Sequence, residues 1–163
     1  MIQRVQSIFL VLVAACMIGL MFFPIWNKVD REKNEKVELT AFSFEHTKLD
    51  IETKEINVLS EGQTFYIAIL ALMAAGLALY SISRYENRLL QMKLGALNSL
   101  FMGAVMGLSV YHVYQAERMI APLEQGNYLI SFYLGVSALL FNLLSNRFIR
   151  RDEKLVRSAD RIR

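Results

Sequence analysis

A single cysteine, Cys16, excludes an intramolecular disulfide and a cysteine-based metal site. There are two histidines, His46 and His112, and they fall in different parts of the chain, so neither a histidine metal site nor a histidine proton relay has its partners. Proline occurs twice, at Pro24 and Pro122. The net charge of +3 is too small to suggest a nucleic-acid binder. The most informative absence is local: Asp, Glu, Lys and Arg are missing from four long stretches, although the chain as a whole is 20% charged.

What fills those stretches is apolar. Hydrophobic residues make up 55% of the chain, above the share of an ordinary soluble domain. A helix crossing the hydrocarbon core, about 30 Å thick, needs about 20 mostly apolar residues. Four segments qualify, at 5–26, 64–83, 94–115 and 127–146. The first also contains Val13-Ala14-Ala15-Cys16, similar to a lipoprotein cleavage box, but apolar residues continue to Trp26, so the run reads as a retained span.

Basic residues orient the spans. With the amino terminus inside, the inner segments hold 11 basic and 4 acidic residues, and the two outer loops hold 7 basic and 11 acidic ones. This predicts a multi-pass membrane protein with both termini cytoplasmic. Trp26, Tyr66, Tyr85, Tyr111, Tyr114 and Tyr128 lie near the span ends, where aromatic belts form.

The outer loop, 27–63, opens with the polar, mixed-charge Asn27–Lys36, read as a solvated connection. Val37–Phe44 then alternates apolar and polar residues, and Leu49–Thr53 and Ile56–Val58 continue the pattern. It predicts a meander of two or three strands resting on the helix ends. Ser60-Glu-Gly-Gln63 reads as a capping box for the second helix. Short turns, one around Arg84–Lys93 and one from Ala116 to Gly126 that includes Pro122, make neighbouring spans antiparallel. The tail, 147–163, sets Phe148, Ile149, Leu155, Val156, Ala159 and Ile162 among seven basic residues at helical spacing. It is expected to form an amphipathic helix along the inner leaflet. Residues 1–163 are thus expected to be one all-α membrane domain: an antiparallel four-transmembrane-helix bundle, a small extracytoplasmic β-meander between helices 1 and 2, and a C-terminal amphipathic cytoplasmic helix.

Within the spans, Gly95, Ser99, Gly103 and Gly107 recur every four residues, a pattern that lets two helix backbones approach closely. The expected partner is an internal helix, with Ala68, Ala71, Ala74, Ala75, Gly76 and Ala78 of the second span complementary to it. Asn98 and Asn142 lie at similar depth and are expected to form an interhelical amide pair. Arg84, Arg88, Arg147, Arg150, Arg151, Lys154 and Arg157 are the candidate contacts for anionic lipid headgroups or for a cytoplasmic partner. Met73, Met92, Met102 and Met106 form no cluster and read as core filler. No catalytic constellation is seen, and no cofactor or metal is expected.

Four segments carry a resemblance to a family: Met1–Gln6, Phe22–Pro24, Tyr85–Gln91 and the ending Asn146–Arg163. Together they resemble an uncharacterised four-span inner-membrane family, a domain of unknown function, typical of Bacteroidota. The resemblance implies an inner-membrane protein with no catalytic residues to carry over. The expected role is a non-catalytic subunit or scaffold of a membrane complex, with a membrane-protein partner or a second copy of the chain. A small-solute transporter or channel is the alternative.

Overall fold

The computed structural model describes residues 2–30, 32–49, 56–85, 87–120 and 125–160, leaving aside the side chains of 2–4, 157, 159 and 160. Among the described residues the order is α1 (Ile2–Leu20), β1 (Trp26–Asp30), β2 (Glu35–Leu39), β3 (Ser43–Leu49), β4 (Ile56–Gln63), α2 (Phe65–Ser83), α3 (Arg88–Glu117), β5 (Asn127–Tyr128) and α4 (Ile130–Asp160). The expected all-α class is therefore wrong. The chain pairs four helices with a five-stranded antiparallel sheet, ordered β4-β3-β2-β1-β5.

The helices pack in sequence, and α4 closes against α1. On α3 the buried positions are Gln91, Gly95, Asn98, Met102, Val105, Ser109, Val113 and Ala116. Their spacings of three or four residues make one stripe of a helix. On α2 the buried stripe is mostly alanine: Ala68, Ala71, Ala74, Ala75 and Ala78. Ile69, Leu72, Met73 and Leu79 are exposed on its other face. A helix apolar on both faces is suited to lipid. Three helical stretches, Phe65–Ser83, Arg88–Glu117 and Ile130–Val156, are long and apolar enough to cross a membrane. The apolar part of α1, Val5–Leu20, is shorter.

The first span was expected to run to Trp26, but α1 stops at Leu20. The carbonyls of Ile18 and Gly19 accept from the N–H groups of Met21 and Phe22, while Ser131 Oγ of α4 reaches Leu20 O at 3.1 Å and Phe23 O, just past the helix, at 2.6 Å. Trp26 opens β1 and is completely buried rather than sitting in an interfacial belt. Gly126 lies against its indole so closely that a Cβ there would fall 2.1 Å from a ring carbon.

The sheet caps one end of the helices. β1 pairs with β5, from the connection between α3 and α4, in the register Trp26↔Tyr128. The polar Asn27–Lys36 is thus not a solvated connection but holds most of β1 and the start of β2. Alternation was hidden there because the inward positions Lys28 and Asp30 are charged. Their charges are satisfied locally: Lys28 Nζ donates to Glu117 O at the carboxyl end of α3, 3.3 Å away, and Asp30 Oδ1 accepts from the backbone N–H groups of Glu32 and Lys33. Asn34 completes the β1–β2 turn with φ 54°, a left-handed conformation that asparagine tolerates. Ser60–Gln63 lies in β4 rather than capping α2. Thr64 precedes α2 and spends its hydroxyl on Thr40 O instead. Of the expected strand Leu49–Thr53, residues 50–53 lie outside the described residues, as do Pro122 and Glu86.

At the opposite end the tail is not a separate surface helix. Residues 147–160 continue α4, which is 31 residues long, roughly 46 Å at about 1.5 Å per residue. Ile149 is buried, and Phe148 stacks on Phe9 of α1, so part of the tail's apolar face packs on protein. Asn87 caps α3, its side chain accepting from Leu90 N.

Candidate functional site

Polar side chains from all four helices converge near the end remote from the sheet. Gln6 of α1, Ser81 of α2, Gln91 and Asn98 of α3, and Asn142 and Ser145 of α4 are all buried. Gln91 Nε2 donates to Ser81 O at 2.7 Å, and Gln6 Nε2 reaches Gln91 Oε1 at 3.5 Å. Ser145 Oγ donates to Gln6 O at 3.4 Å. A buried amide inside an apolar protein costs free energy unless it is hydrogen-bonded, so these contacts fix the relative rotation of the helices.

The expected Asn98–Asn142 pair does not form. Asn142 Nδ2 instead donates to Gly95 O at 2.9 Å and Ser99 Oγ at 2.8 Å, and Ser99 Oγ itself donates to Gly95 O. Asn98 is buried, and among the described residues neither of its amide atoms has a hydrogen-bond partner, nor do Gln6 Oε1, Ser81 Oγ and Asn142 Oδ1. Gln6, Ser81 and Gln91 were missed because single polar residues near span ends read as boundary residues.

The four-residue stripe on α3 divides in two. Gly95 makes a close helix contact, with α4: a Cβ there would lie 2.0 Å from Asn146 Oδ1. Gly103 and Gly107 do the reverse. Both are exposed, and among the described residues nothing stands within 4 Å of where their Cβ atoms would be. The expected internal packing of that pair, with α2 as its complement, is absent; the alanines of α2 are buried, and Gly76 faces open space as well. The close α3–α4 crossing runs through Gly135, unmarked by any motif, where a Cβ would sit 2.4 Å from Met106 Sδ.

The basic residues also separate. Arg88 Nε pairs with Asp152 at 3.0 Å, and Arg84 Nε donates to Tyr80 OH while its guanidinium stands over the same ring. Arg147, Arg150, Arg151 and Lys154 are exposed and line one groove of about 750 Å³ with Ala96, Ser99, Leu143 and Asn146. The side chain of Arg157 lies outside the described residues. Near the sheet, His112 Nε2 and Tyr66 OH are hydrogen-bonding partners. His46, in β3, lies 3.4 Å from Glu35. The described residues contain no group of three His, Cys, Asp or Glu able to hold a metal ion.

The chain belongs to the family described as a domain of unknown function (DUF4293), whose model matches residues 2–162. A domain of unknown function is what the terminal and turn segments pointed to. No curated protein matches the sequence.

Proposed function

We propose that this member of the family is a four-span membrane protein of the bacterial inner membrane, basic end cytoplasmic and sheet outside. In this reading it acts as a non-catalytic component of a membrane assembly and holds a neighbouring helix on the Gly103–Gly107 face. One observation carries the assembly reading: both glycines are exposed with open space over them, on a helix apolar enough to span. A glycine in a helix interior forgoes about 0.5–1 kcal/mol relative to alanine. Two of them turned outward, four residues apart, form a shallow seat for a second backbone. The α1 stretch reaches spanning length with the apolar Met21–Ile25 that follows it.

The test is cysteine crosslinking in native membranes, in a Cys16→Ser background with Gly103→Cys. A crosslinked adduct of defined mass is expected, and its mass distinguishes a second copy from another chain. A Gly107→Leu change in the same protein should remove it. A chain that stays monomeric under crosslinking, whatever occupies position 107, overturns the proposal. The second reading, a small-solute transporter or channel, draws its support from the orphaned polar atoms around Asn98. It requires Asn98→Leu to abolish solute flux in reconstituted vesicles.

A further inference from the structure

The groove between the basic end of α4 and the start of α3 has two unlike walls. Arg147, Arg150, Arg151 and Lys154 follow the i, i+3, i+4, i+7 spacing, so they share one helix face. Leu143, one turn before Arg147, and Ala96, across the groove on α3, are exposed and apolar or small. Among the described residues no carboxylate lines the groove, and their salt bridges engage Arg88, Lys36, His46 and Lys48 but none of these four cations. The amide of Asn146 and the hydroxyl of Ser99 also line it, between the charged and the apolar parts. The groove therefore changes from apolar to cationic within one helical turn, where the uncharged run of α4 up to Asn146 gives way to its charged continuation.

We infer that this groove is a seat for one anionic phospholipid, its phosphate held by Arg147, Arg150, Arg151 and Lys154 and its acyl chains descending past Leu143 and Ala96. Charge complementarity names the head: four cations on one face suit a phosphate, which guanidinium groups bind with paired hydrogen bonds. The apolar wall names the rest, because a soluble phosphate or a nucleic acid gains nothing from Leu143 and Ala96. Two cations of the inner turn, Arg84 and Arg88, are engaged away from the seat. Arg88 is committed to Asp152 and Arg84 to Tyr80. The inference rests on the membrane-spanning reading and adds to it a specific site.

Native mass spectrometry of the full-length protein tests it, after exchange into an equimolar mixture of phosphatidylglycerol and phosphatidylcholine. One retained phosphatidylglycerol in preference to phosphatidylcholine is expected. Neutralising any one of the four cations to Gln should weaken that preference about fivefold, as expected for roughly 1 kcal/mol per basic residue near the lipid surface. Arg84→Gln should leave it unchanged. Ala96→Trp keeps every charge but fills the groove, and it should also remove the retained lipid. Equal retention of the two lipids overturns the inference. So does a preference that survives Ala96→Trp, which would be charge attraction without a seat, and so does displacement of the lipid by a short RNA. Failure of the spanning reading would be seen separately, as protein that stays dispersed without detergent.

Discussion

Gly95 and Gly103 share a helix and a residue type but differ in what stands where a side chain would be. At Gly95 a methyl group would overlap Asn146, and at Gly103 it would meet nothing. Gly95→Ala should therefore destabilise the protein by about 1–3 kcal/mol through overpacking. Gly103→Ala should stabilise the detergent-solubilised monomer by about 0.5–1 kcal/mol through reduced backbone entropy. Opposite shifts of the thermal midpoint check both. Asn98 is a second informative residue, buried and without a hydrogen bond. A buried unsatisfied polar group costs about 1–3 kcal/mol, so Asn98→Leu should hold or raise the midpoint. A marked fall would show that Asn98 has a partner in solution. The sequence put Asn98 and Asn142 at one depth, but it could not tell that Asn142 turns to the Gly95 carbonyl, because helix rotation is set by packing.

Among the elements, α3 and α4 show how a span can exceed the membrane. Both extend past their apolar stretches at the basic end, and the Arg88–Asp152 ion pair ties the extensions together. Its side chains are 20% and 13% exposed, so water screens it only partly. A double-mutant cycle with Arg88→Ala and Asp152→Ala should give a coupling of about 0.2–1 kcal/mol, as for pairs near a surface. Limited trypsin digestion of Asp152→Ala should release the end of α4 faster than in the parent protein. The tail's helical periodicity was legible, and its joining to α4 was not. The same amphipathic pattern serves a helix lying on lipid and one packed on a neighbouring helix; Phe9, distant in sequence, takes up Phe148.

For the whole molecule, the sheet and the basic groove stand at opposite ends of helices long enough to cross a bilayer. A membrane-impermeant amine reagent applied to sealed cells stripped of their outer membrane should label Lys36 and Lys48 on the sheet. It should label Lys154 only after the cells are opened. Labelling of Lys154 first would reverse the proposed orientation. Lys28, whose ammonium is buried against the end of α3, should stay unlabelled in both cases.

The sequence alone determined the apolar helices and the charge asymmetry between their ends, because transfer of charge into hydrocarbon costs so much that its absence over about 20 residues has few other readings. It also marked the strands whose alternation is apolar, as at Val37 and Leu39. Tertiary structure decided the rest. It made a sheet of five strands from an expected two or three, since β1 hides its alternation behind Lys28 and Asp30 and β5 is only two residues long. It also decided which glycines are buried. Periodicity defines a stripe on a helix, and only the neighbours that fold against it determine whether that stripe faces α4, as at Gly95, or open space, as at Gly103.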